Sequence, residues 1–252
     1  MLHEDKVLGV GQTAQVVGLE DGKVAKLYYD HISSVSIEKE RLKSSEISLT
    51  DLLVPEVYGE TVIQGKRALI YEHIKGLPLT AMMNNPFSLV NGLRTMATLH
   101  TKIHSQADLS LPLLTDFLET KIQSVKELSK EEKLMVLREL TNLPDEKALC
   151  HGDFHPDNVL ITPKGPVTID WLDATVGNPV ADVARTTLLL KYGGFSPEIS
   201  PIAYKIQIVF RKFLSSLYVS LYRKRMPLNQ KTARSMVTSC GGCQVIRIIT
   251  CP

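Results

Sequence analysis

The chain has 252 residues, 44% of them hydrophobic and 22% charged, an ordinary globular balance large enough for one large domain or two lobes around a shared cleft. A net charge of +2 argues against a nucleic-acid binder, and no run approaches the roughly 20 apolar residues that a membrane span needs. MLHEDK turns charged at once and has no apolar signal region, so the expected compartment is the cytoplasm.

The first predicted elements are strands. VLGVGQTAQVVGLEDGKVAKLYY carries short β-branched runs separated by glycine pairs and by Asp21-Gly22, a hairpin turn signal. SSVSIEKERLKSSEI is charged and helix-compatible behind serine caps. VPEVYGE and KRALIYEHI read as two further strands joined near Gln64-Gly65. After Gly76 the pattern turns helical. FSLVNGLRTMATLHTKIHS places Leu89, Leu93, Met96, Leu99 and Ile103 at helical spacing, and DFLETKIQSVKELS and EEKLMVLRELTNL continue in the same manner. HGDFHPDNVL follows, too polar for a core strand and too irregular for a helix. VTIDWLD comes next, and then a helical remainder in which Ile206, Phe210, Phe213, Leu217 and Leu221 predict a core stripe with Lys205 and Lys212 off it. The expected plan is a β-rich lobe over residues 1–71, a hinge at 72–76 and a helical lobe over 77–252.

Of the four cysteines, Cys150 stands alone in a strand-like segment and reads as a small apolar group. Cys240, Cys243 and Cys251 cluster near the end. CGGC has redox or half-zinc-site spacing, but it lacks a second pair and a strand-then-helix context.

The chemistry concentrates in the HGDFHPDNVL loop. Asp153 is a candidate general base if a substrate hydroxyl can reach it. Asn158, five residues on, and Asp170, after one strand, offer the hard oxygen ligands that suit Mg²⁺. Together they suggest phosphoryl transfer, where the protein mainly positions groups and neutralises charge. The protein-kinase signature has the same layout, with Arg where this chain has Gly152. That reading demands parts upstream, and they occur in order. Gly9 and Gly11 form a glycine turn with Val16 at the right spacing and Ala14 in the place of a third glycine. VAKLY supplies Lys26 on the following strand. Glu38 and Glu40 lie on the next helix, and Glu40 fits the spacing better.

On these residues the chain resembles the aminoglycoside phosphotransferase family, small-molecule kinases of protein-kinase-like fold. HGDFHPDNVL is similar to the family's catalytic loop and VTIDWLDATVGNPVADVAR to its metal-binding segment, and the match runs from about Gly9 to about Tyr192. The resemblance implies an α+β, protein-kinase-like two-lobe fold, with a small β-rich N-terminal nucleotide-binding lobe and a larger, mainly helical catalytic and acceptor-binding lobe. It implies ATP and Mg²⁺ as cofactors and a small-molecule hydroxyl as acceptor. Asp153 would orient or deprotonate that hydroxyl, and Asn158 and Asp170 would hold Mg²⁺. Lys26 would contact the α- and β-phosphates with Glu40 as its partner. The Gly9–Ala14 turn would cover the phosphates, with a hydroxyl from Thr13. Adenine would lie against backbone near Glu72–Ile74, and Asp182 would brace the catalytic loop, with His151 helping it hold its shape. Two other readings are a kinase acting on a protein, which the lack of an APE-type segment after Asp170 opposes, and a non-catalytic nucleotide-binding module, which the intact Lys26, Asp153, Asn158 and Asp170 oppose.

Other polar residues have plainer readings. His100 and His104 stand at helical i, i+4 spacing, but Thr101 occupies the place where a zinc protease needs Glu, so they are expected to hydrogen-bond near the catalytic loop. His155 is a candidate for phosphate or for the loop turn, Trp171 for core, and Asp173 for a place behind the metal. Residues 191–252 carry ten Lys or Arg against one acid, Glu198, which predicts a neutral or anionic acceptor rather than a polycation.

Overall fold

The computed structural model describes residues 7–142, 144–193 and 200–226. The tail with Cys240, Cys243 and Cys251 lies outside the described residues, as do Glu198 and three of the ten cations counted above. In chain order the elements are β1 (Val7–Val10), β2 (Ala14–Gly18), β3 (Lys23–Tyr28), α1 (Ser34–Ile47), β4 (Val57–Ile63), β5 (Lys66–Glu72) and β6 (Leu77–Pro78). There follow α2 (Leu79–Met82), α3 (Pro86–His104), α4 (Leu114–Ser124), α5 (Lys130–Thr141) and β7 (Ala148–Cys150). A 3₁₀ turn at Pro156–Asn158 leads into β8 (Val159–Thr162), β9 (Gly165–Thr168), β10 (Thr175–Gly177), α6 (Pro179–Tyr192) and α7 (Pro201–Arg223). No helix among the described residues is long and apolar enough to cross a membrane.

The chain forms two compact units. The first joins Met1–Pro78 with Val159–Leu172, and the second joins Leu79–Asn158 with Asp173–Pro252. The residues after the His151–Asn158 loop therefore return to the first unit, and the units divide between Pro78 and Leu79.

In the first unit an antiparallel sheet has strand order β1-β2-β3-β5-β4. Both predicted hairpin turns use left-handed backbone: φ is 59° at Asp21 and 69° at Gly22, and 51° at Gln64 and 77° at Gly65. Such primed turns match the twist of the strands they join. Strand alternation sorts β3 into two faces. Ala25 and Leu27 bury against Ala68, and Tyr28 packs with Ala14, Leu69 and Ile37 of α1. Lys26 pairs with Leu69 across the ladder, so it shares the α1-facing side with Tyr28. α1 starts at Ser33, whose hydroxyl accepts from the Ser36 amide, and buries Ile37, Glu40, Ser44 and Ile47 at helical intervals. A second, three-stranded sheet has order β6-β8-β9.

The second unit is mainly helical. α3 begins with a reciprocal cap between Asn85 and Ser88 and a proline in its first turn. It buries Leu93, Met96, Leu99 and Ile103 as predicted, and also His100 and His104, while Leu89 is half-buried. α4 and α5 close a small satellite core around Ile122 and Leu128. The predicted stripe on α7 is corrected: Ile206, Phe210 and Phe213 are exposed, and the buried face carries Ser215, Tyr218 and Tyr222. The reason is chemical. α7 packs its polar-tipped residues toward the histidines of α3, so apolar periodicity alone points to the wrong side.

Candidate functional site

Lys26 is the centre of the first unit's polar cluster. Its Nζ donates to Glu40 Oε1 at 2.6 Å and to Asp170 Oδ1 at 3.0 Å. Burial alone would lower the lysine's pKa, but the Asp170 and Glu40 carboxylates outweigh it and hold the ammonium well above its ordinary value. Tyr71 donates its hydroxyl to the same Glu40 oxygen at 3.2 Å, while Glu40 Oε2 is buried without a hydrogen-bond partner. Glu38, the other sequence candidate, instead forms a two-bond pair with Arg41. Asp170 sits at φ 64°, a left-handed conformation that costs a non-glycine residue energy and clusters at functional sites. Trp171 is buried, its indole donating to the Thr168 carbonyl.

The glycine turn lies on β1 and its exit. The Gly11 amide donates to the Ala14 carbonyl at 2.9 Å, and the Thr13 carbonyl accepts from Tyr29. A Cβ at Gly9 would meet no atom within 4 Å, and its φ is outside the left-handed region. The fold itself therefore has no need of glycine there. At the end of β5, the Glu72 amide bonds Glu56 and the next amide, that of His73, bonds Gly22. Ile74 follows in the irregular stretch before β6.

The His151–Asn158 loop belongs to the second unit. Asp182 takes the His151 amide on Oδ2 at 2.6 Å and the Gly152 amide on Oδ1 at 3.0 Å. The same Oδ2 receives His100 Nε2 at 3.1 Å and His104 Nε2 at 3.3 Å. Burial would raise this carboxylate's pKa, but His100 and His104 keep it well below the usual range. Burial pushes His100 down to about 3, so its ring is neutral. The three side chains bring one ligand atom each within 4.8 Å. Four N–H groups already occupy the carboxylate, which accounts for the cluster without an ion. Gly152 has φ 79°, and a Cβ there would lie 2.5 Å from the Asp173 carbonyl oxygen.

Asp153 follows, with its amide bonded to His151 Nδ1 at 3.2 Å. Burial alone would raise its pKa, but His155, Arg185 and His151 together lower it, so it is a carboxylate at neutral pH. Asn158 donates Nδ2 to the Asp153 carbonyl at 2.9 Å, which leaves its amide oxygen as a hard donor. Asp170 uses Oδ1 on Lys26 and likewise retains its second oxygen. Both donors fit Mg²⁺. Arg185 was missed from sequence: its Nη2 donates to Asp173 Oδ2 at 2.8 Å and lies 3.7 Å from Asp153 Oδ1. The available signal was an arginine three residues after Asp182 on the same helix. Tyr218 and Tyr222 were also missed.

The comparisons agree with this layout. The phosphotransferase enzyme family model matches residues 6–204, and the chain belongs to that family. Acyl-CoA dehydrogenase family member 11 of Pongo abelii is 36% identical over a 78-residue alignment, with 25% of this chain and 10% of that protein covered. The Gallus gallus counterpart is 44% identical over 52 residues, covering 18% and 7%. The match thus spans a tenth or less of these curated relatives. Among solved structures, an aminoglycoside-3'-phosphotransferase of type VIII superposes with a TM-score of 0.60 at 18% identity, over 94% of this chain and 90% of that one. A Streptomyces rimosus aminoglycoside phosphotransferase in complex with ADP and streptomycin gives 0.59 at 15% identity, over 94% and 91%. Amicoumacin kinase in complex with AMP-PNP and Ca²⁺ gives 0.60 at 15%, over 92% and 76%. At such identities the likeness establishes the fold: α+β and protein-kinase-like.

Proposed function

We propose that this phosphotransferase moves the γ-phosphoryl group of ATP, bound with Mg²⁺, to a hydroxyl of a small neutral or anionic molecule. The observation that carries the reading is the Lys26 ammonium held between the Glu40 and Asp170 carboxylates. A fixed cation beside a metal-binding acid is the recurring apparatus for triphosphate. The reading assigns nucleotide binding to residues 1–71, a hinge to 72–76 and acceptor binding to 77–252.

In this reading Lys26 holds the α- and β-phosphates and Glu40 fixes its position. Gly9, Gly11 and Thr13 cover the phosphates, and backbone near Glu72 and Ile74 takes the adenine. Asn158 and Asp170 would hold Mg²⁺, which supplies charge neutralisation at the phosphates when bound. Asp153 receives the acceptor's hydroxyl proton as its oxygen bonds to the γ-phosphorus. The bond to the β–γ bridging oxygen breaks, and ADP leaves. A neutral or anionic acceptor follows from the ten cations against one acid in residues 191–252, a balance that repels polycations.

The test is ATP consumption with Mg²⁺ against a panel of aminoglycosides, neutral polyols and sugars, and carboxylated or phosphorylated hydroxy compounds at low salt. Turnover of a neutral or acidic member supports the reading. Consumption of ATP with none of them excludes the transfer, and efficient use of the aminoglycosides overturns the acceptor class.

A further inference from the structure

Asp182 holds the catalytic loop, and Asp182 is itself held by side chains of α3 that α7 supports in turn. Its carboxylate can only accept, so His100 and His104 must each present Nε2–H to it. In a neutral ring the other nitrogen, Nδ1, is then an acceptor. Tyr218 sets its hydroxyl 2.5 Å from His100 Nδ1, and Tyr222 sets its own 2.6 Å from His104 Nδ1, a stronger acceptor than the Met226 sulfur 3.1 Å from the same hydroxyl. Both tyrosines come from one face of α7, one turn apart, as the two histidines come from one face of α3. All four rings are buried, so no water competes for these bonds.

On this geometry we infer that Tyr218 and Tyr222 are positioning residues for phosphoryl transfer, acting through His100, His104 and Asp182 on the His151–Gly152 backbone that carries Asp153. The other tautomer, with its proton on Nδ1, would aim the Nε2 lone pair at Asp182 Oδ2. Hydroxyls that donate to Nδ1 disfavour that tautomer, because a protonated Nδ1 cannot accept from them. Phe154, stacked on His100 at 4.3 Å between centroids, ties the ring to the loop a second time. The network matters only if the loop does chemistry, so the kinetic part of the inference rests on the proposed transfer.

The experiment compares wild type, Tyr218→Phe, Tyr222→Phe and the double variant, each retaining the buried ring and losing only the hydroxyl. Rates of Mg·ATP hydrolysis with water as acceptor are read well below every melting temperature, together with the KM for ATP and the hydrogen exchange of the His151 and Gly152 amides. The double variant is expected to lose kcat on the order of 10²-fold, the scale of a small misplacement of reacting groups. Its KM for ATP should stay within about twofold, because Lys26 is untouched. The two amides should exchange faster. A folded double variant with wild-type kcat overturns the inference, as does a loss confined to melting temperature. If wild type hydrolyses no ATP with water as acceptor, the acceptor panel alone judges the transfer reading and amide exchange decides the network: unchanged protection at His151 and Gly152 rejects it. Should the double variant not fold, the Tyr222→Phe comparison carries the same outcomes.

Discussion

Lys26 Nζ lies 2.6 Å from Oε1 of Glu40, inside a unit that leaves the second oxygen of that glutamate buried and without a partner. The carboxylate is thus held through one oxygen, by the Lys26 ammonium and the Tyr71 hydroxyl. Lys26→Met should cost stability as well as catalysis, since breaking a buried pair from one side typically costs about 3–5 kcal/mol. Glu40→Gln, which keeps shape and removes the charge, should fold closer to wild type and lose kcat/KM by about 10²-fold, as for a misaimed electrostatic donor. Urea unfolding beside steady-state kinetics checks both, and equal stability of Lys26→Met and wild type contradicts the first.

Asp153 makes its case through a split between binding and rate. Asp153→Asn keeps the loop's size and should leave the nucleotide Kd unchanged while kcat falls by about 10²–10⁴-fold, the usual range for a lost general base. Calorimetric titration with a non-hydrolysable nucleotide, beside initial rates, reads both quantities. Wild-type turnover in the variant removes Asp153 from the reaction.

For Asp170 the readout is the metal. Asp170→Ala should abolish the gain in nucleotide affinity that Mg²⁺ brings, since a bound divalent ion dominates its local field. Titrations with Mg²⁺ and with chelator decide it. A gain equal to wild type's assigns the ion elsewhere.

Acid stability follows from His100. Its folded pKa, about 3, lies below the roughly 6.5 of an unfolded histidine. The sign is that of a depressed group: the unfolded chain binds the proton more readily, so the contribution is full above about pH 6.5 and shrinks as pH falls toward 3. The slope is about 1.4 kcal/mol per pH unit for one such group. Chemical unfolding at pH 7.5, 6 and 5 should show the decline and uptake of close to one proton. Stability that is flat over this window means that His100 gains its proton in the folded state.

Much of the candidate site was legible because it obeys spacing rules that the backbone imposes. The i, i+2 alternation of β3 puts Lys26 on the face toward α1, and the helical interval puts Glu40 rather than Glu38 there. The hairpins at Asp21-Gly22 and Gln64-Gly65 announced themselves by residue types that tolerate left-handed backbone. What was not legible depended on partners distant in sequence. α7 hides Tyr218 and Tyr222 and exposes Phe210 and Phe213, against its own apolar periodicity, because the binding partners of its tyrosines lie 118 residues away on α3. Nor does any local pattern tell that Val159–Leu172 returns to the first unit.

Gly152→Ala should be poorly tolerated although it adds one methyl group. The new Cβ would press on the Asp173 carbonyl, and the backbone is left-handed. The conformation alone costs about 1–2 kcal/mol. Melting temperature should drop and kcat should fall more than about tenfold, as the loop shifts to make room. Circular dichroism melts and initial rates measure both, and a fully active, equally stable variant would show that Asp173 yields freely.

That crowding at Gly152 also has a genetic meaning. Every glycine codon lies one base from an arginine codon, so the chain is a single mutation from carrying the arginine that the protein-kinase signature has at this place. The protein would gain nothing from the change, because the Asp173 carbonyl fills the space through which the first carbon of any side chain must leave. The glycine and arginine versions of this position are therefore neighbours in codon space, yet this backbone accepts only the first. Passage between them needs the backbone at position 173 to move first, so the loop's identity is guarded by a residue that belongs to neither motif.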